Sequence, residues 1–363
     1  MDICTSVNGL KFPNPLIVAS GPMTGTADRI LEMCQQGVGG IVTKTIRPEA
    51  AEVLRPCITA VGNMLYNCED WSEYSGAQWL ENFLPAVRRQ SDTPLIASVG
   101  YNAEDFQQMI PYMEEHDLAD VYECALRLNS HSLSEFEKQV SFFRKLTKKP
   151  VWVKLSNSYG DLIEITRVCR DSGADGVVLV TAQGPQMLVD IEKRRTVMGI
   201  PGGFVFTSGA TIKNTALAYV NMVREAVPDI TIIGNGGACT ADDIIEFLLA
   251  GADAVQLLTV AMLKGRDILR KIIEDLPKRL AHYGFASVDE VRNTPLGKNP
   301  LRTEASFPVI DRDKCVSCGM CVKCCSYNGL FMRDKKPVVD PEKCFGCGQC
   351  QSRCPAKAIT NVY

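Results

Sequence analysis

Long apolar runs are missing from this 363-residue chain. Nothing in it approaches the roughly 18 consecutive apolar residues of a membrane span, so no membrane partner is expected. The first residues, MDICTSVNG, carry an acid at position 2 and no basic-then-apolar run, so no secretory signal is read there and a cytoplasmic location is expected. A dominant charge is missing too. The 39 basic and 42 acidic side chains leave a formal −3, which disfavours a polyanion-binding surface and a nucleic-acid partner. Histidine is scarce, at three residues, so there are few side chains of near-neutral pKa for proton transfer. No G-x-G-x-x-G follows a first strand and no P-loop is present, so no nicotinamide domain is expected within the chain. With 46 % hydrophobic and 22 % charged residues, disorder is excluded.

Cysteine is abundant, and its distribution is uneven. Nine of the 16 cysteines lie in residues 310–363, and the other seven are scattered over the first 309. In a cytoplasmic chain, such a cluster points to metal rather than to disulfides. Cys315, Cys318, Cys321 and Cys325 read C-x2-C-x2-C-x3-C. Cys344, Cys347, Cys350 and Cys354 repeat the run, with Pro355 after the last. This is the spacing of two-cluster bacterial ferredoxins, in which the fourth cysteine of each run ligates the other cluster. One [4Fe–4S] cluster is therefore assigned to Cys315, Cys318, Cys321 and Cys354, and a second to Cys344, Cys347, Cys350 and Cys325. A zinc site, usually built from two separated pairs, fits this spacing poorly. Cys324 is an extra thiol that competes with Cys325 as ligand, and Ser326 stands where proline usually follows the fourth cysteine. The tail has 9 basic and 5 acidic side chains, a formal +4 that leaves −7 on the rest. The excess is expected to offset the anionic clusters.

The first 283 residues alternate short β-rich runs with helical patterns. Strands are expected near 15–21, 39–45, 94–100, 120–126, 150–156, 176–182, 231–237 and 254–260. They are almost wholly apolar, as parallel strands covered on both faces should be. Helices are expected over 27–36, 103–116, 134–148, 161–171, 211–225 and 241–249. Thr240, and Ser134 followed by Glu137, are the cap candidates. Eight such units fit a (β/α)8 TIM barrel better than a doubly wound sheet. The expected domains are a barrel over 1–283, a polar linker over 284–309 and a ferredoxin domain over 310–363. Two long loops, 46–76 and 183–208, follow strands 2 and 6, at the barrel face where active sites lie.

Ile233-Gly234-Asn235-Gly236-Gly237 ends strand 7 before a helix. A glycine-rich turn in that place presents backbone N–H groups to a phosphate. Thr259, at the end of strand 8, offers a hydroxyl. Iron–sulfur clusters pass single electrons, whereas most organic substrates take two, and a flavin converts between them.

In that light the chain resembles the dihydroorotate dehydrogenase family of FMN enzymes. The resemblance is carried by Asn14-Pro15, Ala19-Ser20-Gly21, Thr43-Lys44-Thr45, Val153-Lys154-Leu155, Gly202-Gly203, Ser208-Gly209, Ile233–Gly237 and Phe247–Ala252. The barrel-plus-ferredoxin order is similar to the C-terminal part of dihydropyrimidine dehydrogenase. The resemblance implies that Ala19, Ser20 and Gly21 back the flavin ring and that Lys44 and Lys154 sit beside it. It implies that Gly209, Gly236, Gly237 and Thr259 hold the phosphate end. Thr45, Ser98, Thr181, Gly203, Ser208 and Asn235 complete the expected FMN set. Reduced flavin gathers negative charge near N1, which a buried ammonium stabilises. Members of this family are often homodimers.

The chain departs from the family where substrate binds. The family's Glu-x-Asn-x-Ser-Cys-Pro is replaced by Glu123-Cys124-Ala125-Leu126-Arg127-Leu128-Asn129. Ala125 thus stands for the pyrimidine-reading asparagine and Leu128 for the proton-transferring cysteine. Thr181-Ala182 replaces Asn-Thr, and Leu258 replaces a glycine. A pyrimidine would lose amide partners at roughly 1–3 kcal/mol each. His131 is the first candidate proton donor, followed by Tyr66 and Cys68, with Lys44 beside the reacting centre. Asn67, Arg127 and Asn129 are the candidate substrate contacts, Arg127 for a carboxylate.

The expectation is an FMN- and iron–sulfur-dependent oxidoreductase acting on a small molecule with an activated C–C double bond. A ferredoxin or an NAD(P)H–flavin reductase would donate electrons through two [4Fe–4S] clusters, and reduction is the favoured direction. Pyrimidine chemistry with a rewired pocket is one alternative, and a non-catalytic electron-transfer subunit is another.

Overall fold

The computed structural model describes residues 2–127, 132–299 and 303–362, which fall into two compact units, Met1–Leu296 and Gly297–Tyr363. The first unit is built on eight parallel strands. These are β1 (Leu16–Val18), β2 (Gly40–Val42), β3 (Leu95–Tyr101), β4 (Val121–Leu126), β5 (Val151–Leu155), β6 (Gly176–Leu179), β7 (Thr231–Asn235) and β8 (Ala254–Leu257). Each pairs with its sequence neighbours, and β8 closes on β1 to give a (β/α)8 barrel. The expected strands all form, most of them trimmed at their C-terminal ends where the chain turns toward the site.

Strand alternation puts one residue per strand into the lower barrel interior: Ile17, Val42, Ile96, Val121, Trp152, Val178, Ile233 and Ala254. The hairpin Thr5–Val7/Leu10–Phe12 plugs this end with Val7 and Phe12. The Trp152 indole donates to Asn8 Oδ1 at 2.8 Å, so its buried N–H is satisfied. One pleat higher, the interior turns polar, with Ser98, Glu123 and Gln256 each wholly buried.

A single device recurs at the lower rim before β4, β6 and β8. Asp120 accepts the backbone N–H of Leu95 at 2.7 Å and pairs with Arg88. Asp175 does the same for Val151 at 2.8 Å with Arg144, and Asp253 for Ile232 at 2.9 Å with Arg224. Each carboxylate thereby joins the neighbouring strand's backbone to the helix before that strand.

The helices are α1 (Ala27–Cys34), α2 (Leu84–Gln90), α3 (Ala103–Glu115), α4 (Leu133–Leu146), α5 (Leu162–Asp171), α6 (Lys213–Ala226), α7 (Ala241–Ala250) and α8 (Ile268–His282). In α3, Phe106, Met109, Ile110 and Met113 are buried at the i, i+3, i+4, i+7 spacing of one helical face. Thr240 caps α7 through a reciprocal box with Asp243. Ser134 is not a cap: α4 begins at Leu133, after Ser132, which leaves Ser134 inside the first turn.

The two long loops fold together above the barrel. Strands Gln183–Met187, Phe204–Gly209, Met64–Asn67 and Ile58–Val61 make a four-stranded antiparallel sheet, with Thr207 opposite Tyr66 and Ser208 opposite Leu65. Within the span read as linker, Val288–Arg292 forms a short helix with Val288 and Val291 buried. It belongs to the Met1–Leu296 unit. Among the described residues, no helix is long and apolar enough to cross a membrane.

The second unit pairs Val309–Ile310 with Ile359–Thr360 and forms the hairpin Leu330–Arg333/Lys336–Val339. Short helices Met320–Lys323 and Gln349–Arg353 each start from a left-handed glycine, Gly319 and Gly348. Its core is Cys321, Leu330, Cys350 and Ile359.

Thr240→Ala removes the side-chain half of the α7 cap. It is expected to cost about 1 kcal/mol, read as a melting midpoint lowered by roughly 2 °C.

Candidate functional site

The cavity of about 300 Å³ at the C-terminal ends of the barrel strands gathers most of the expected cofactor residues. Ala19, Ser20 and Gly21 line one wall, where the chain leaves β1. A Cβ on Gly21 would meet Leu258 Cδ2, so the backbone here packs directly against that side chain. Lys44, Thr45, Lys154, Thr181, Ser208, Asn235, Gly236, Gly237 and Thr259 also line it. Gly236 and Gly237 are left-handed, at φ +114 and +89, and a Cβ on Gly237 would come within 2.7 Å of Gly209 O and Lys213 N. Beside them, the Ser208 and Thr259 hydroxyls lie 2.8 Å apart. This donor set suits a phosphate monoester, and the small-residue wall opposite suits a flat ring, so the cavity's residues fit FMN.

Both lysines are paired. Lys44 is 4 % exposed, with Nζ 3.0 Å from Glu69 Oε1 and 3.8 Å from Glu73 Oε2. Lys154 Nζ lies 3.2 Å from Glu123 Oε1 and 3.4 Å from Gln256 Oε1. Gln256 in turn donates to Glu123 Oε2 at 2.9 Å. The Lys154 charge persists in an apolar strand because Glu123 sits on neighbouring β4 and Gln256 reaches it across the barrel from β8.

Other expected residues fall elsewhere. Ser98 lies behind the cavity wall and meets Thr45 Oγ1 at 3.0 Å. Gly209 backs Gly237 rather than facing the opening, and Gly203 lies in the 200–203 turn packed on Thr196. Tyr66 and Cys68 are turned away from the cavity. They sit in a strand whose alternate residues Leu65 and Asn67 face it, and they pack instead with Met198 and Val205. Tyr66 points its hydroxyl at Met64 Sδ, and burial pushes the Cys68 thiol above its ordinary pKa. Neither is placed to give a proton to a molecule in the cavity. Arg127 stands at the rim, 59 % exposed, pairs with Asp70 at 3.1 Å and lies over the Tyr101 ring. His131 and Asn129 lie outside the described residues.

Several lining residues escaped the sequence reading. Glu69 and Asp70 follow Asn67 into the cavity. Tyr101 ends β3 and Tyr159 follows β5 at the site-bearing end. Burial raises the Tyr101 pKa and pushes that of Tyr159 up to about 12, so both stay protonated at neutral pH. The Tyr159 hydroxyl donates to Leu126 O at 2.9 Å. Their position at or just past strand ends, and a glutamine inside apolar β8, were the available signals.

The cysteines ring two separate small cavities. Cys315, Cys318, Cys321 and Cys354 line one, and Cys325, Cys344, Cys347 and Cys350 line the other. Each run therefore lends its fourth cysteine to the other's cavity, and Cys324 lines neither. Gly329 N–H donates to Cys325 Sγ at 3.2 Å, and Ala358 N–H to Cys354 Sγ at 3.3 Å. Among the described residues, no three Cys, His, Asp or Glu side chains converge as a single-ion site.

Residues 2–280 match the family model described as dihydroorotate dehydrogenase, and residues 314–358 match a 4Fe-4S dicluster domain. Relatives include the catalytic subunit of dihydroorotate dehydrogenase B (NAD(+)) from Pyrococcus furiosus, 32 % identical over 80 % of this chain and 98 % of that protein. The same subunit from Pyrococcus abyssi is 31 % identical over 78 % and 95 %. The NAD-dependent dihydropyrimidine dehydrogenase subunit PreA from Escherichia coli is 28 % identical over 90 % and 86 %.

Cys354→Ala is expected to lower bound iron and sulfide in the anaerobically purified protein by about half, because it opens one of two cavities. Cys324→Ala is expected to leave both unchanged in the same iron and sulfide assay.

Proposed function

Because the chain belongs to the dihydroorotate dehydrogenase family and ends in a 4Fe-4S dicluster domain, we propose that it is an FMN- and two-[4Fe–4S]-dependent reductase of an activated C–C double bond in a non-pyrimidine substrate. Electrons come from a separate protein, a ferredoxin or an NAD(P)H–flavin reductase, and the chain acts in the cytoplasm. The observation that carries the substrate reading is the cavity wall at the ends of β4 and β6. There Ala125 and Thr181 line the opening and present no amide. Asn67 supplies the amide from the covering sheet.

Bound in this cavity, FMN supplies hydride transfer and the exchange between one- and two-electron carriers. The protein's own part is to hold and to exclude. Gly236, Gly237, Ser208 and Thr259 hold the phosphate, while Ala19, Ser20 and Gly21 back the ring. Lys154 offers positive charge at the barrel end of the cavity. Leu65 and Asn67, on the covering sheet, shield the opening from water. Arg127 fixes a substrate carboxylate when it exchanges Asp70 for the ligand. His131 stays the first candidate proton donor, since Tyr66 and Cys68 face away.

The relatives' names favour a second reading, pyrimidine chemistry in a rewired pocket. The two part in an anaerobic reoxidation screen of the reduced protein against uracil, thymine, orotate, enones, enoates and cinnamate-like acids. Fast reoxidation of flavin by an enone or enoate, with pyrimidines inert, is expected. Fast reoxidation by a pyrimidine reverses the reading. With a carboxylate-bearing acceptor, Arg127→Gln is expected to raise KM roughly tenfold, the worth of one charge-assisted hydrogen bond. An uncharged enone should show no such change.

A further inference from the structure

Among the described residues, the most enclosed carboxylate in the barrel is not one that lines the cavity. Glu123, on β4, is 0 % exposed and reaches no solvent. Its two oxygens are both used: Oε1 takes Lys154 from β5 at 3.2 Å, and Oε2 takes the Gln256 amide from β8 at 2.9 Å. Gln256 Oε1 closes the triangle to Lys154 Nζ at 3.4 Å. Three strands thus meet through three polar side chains in an otherwise dry interior. Only Lys154 and Gln256 reach the cavity.

A buried carboxylate is costly unless something is gained by keeping it, and replacing such a pair by apolar residues is often neutral or stabilising. Stability alone is therefore a weak reason for Glu123. Among the described residues, no other carboxylate forms an ion pair with Lys154. Without Glu123, an ammonium in that place would be charged, buried and unpaired. It would then swing out toward solvent.

We propose that Glu123 is a positioning residue that keeps the Lys154 ammonium charged and aimed into the cavity, with Gln256 bracing both, and so sets the reduction potential of the flavin. This rests on the reading that the cavity holds FMN. Lys154 faces the cavity with positive charge, while Glu123 stands behind it. The ammonium's attraction for negative charge on the reduced ring thus outweighs the carboxylate's opposition.

The sign of the effect provides the test. Glu123→Gln keeps the shape and a carbonyl for Lys154 but removes the charge. If Glu123 holds the ammonium in place, the variant's flavin midpoint potential falls toward that of Lys154→Met. The expected fall is about tenfold in the reduction equilibrium constant, about 30 mV for a two-electron couple. In the Lys154→Met background, Glu123→Gln then adds no further fall. A potential that is unchanged or higher in Glu123→Gln overturns the proposal, because the ammonium would have stayed without its partner. An equal fall in both backgrounds overturns it as well. Flavin content and melting temperature are read on the same samples. Should Glu123→Gln fail to fold, Gln256→Leu is measured instead, with a smaller fall expected and an unchanged potential counting against the proposal. A wild-type protein that binds no flavin defeats the cofactor reading itself, which separates the two failures.

Discussion

Closing eight parallel strands into a barrel sends every second side chain into a space that water does not fill. That space accepts apolar residues freely and charges only in compensated sets. The rest of this molecule follows from where the compensation is made. The lower layer, from Ile17 round to Ala254 and plugged by Phe12, is apolar apart from the Trp152 indole N–H, which Asn8 accepts. The upper layer carries Ser98, Glu123, Lys154 and Gln256: Glu123 and Lys154 answer each other from adjacent strands, Gln256 reaches them across the barrel from β8, and Ser98 is answered by the residues just past β2. The transition between layers is what turns a packed core into the floor of a cavity.

Above that floor, the covering sheet decides which groups a bound molecule meets. It is woven from segments far apart in the chain, 58–67 and 183–209, and its pleat sorts them. Leu65 and Asn67 look down, whereas Tyr66 and Cys68 look up into a small cluster of their own. The rim is tied by Arg127 with Asp70 and by Arg47 with Asp105, and Arg47 also stacks over Trp71. The charges of this mouth are thus spent on one another, and a ligand gains one only by displacing its partner.

Much of this was legible in the sequence, for identifiable reasons. The strands were readable because parallel strands covered on both faces are nearly continuous apolar runs. Lys154 stood out as a charge inside such a run. The two cysteine runs stood out because each is local in sequence, whereas Cys354 beside the first run and Cys325 beside the second is a tertiary arrangement. What was not legible depends on distant pairing. Nothing in Met64-Leu65-Tyr66-Asn67-Cys68 announces which alternate set faces the cavity until residues 204–209 are laid beside it. Glu69 and Tyr159 enter the site from beyond the strands, where no strand periodicity marks direction. The helix at Val288–Arg292 was read as linker because five residues are too few to show a period, though Ser287 and Glu290 are a usable cap signal.

The aspartates before β4, β6 and β8 belong to the opposite end of the same strands. Asp120, Asp175 and Asp253 fasten backbone to helix at the lower rim, roughly a strand's length from the cavity. Foldedness and chemistry are therefore written at opposite ends of each strand, and a lineage can edit one without reopening the other. Ala125, at the chemical end of β4, sits in a strand paired with both β3 and β5. A barrel organised in this way can change what it consumes while inheriting its architecture intact.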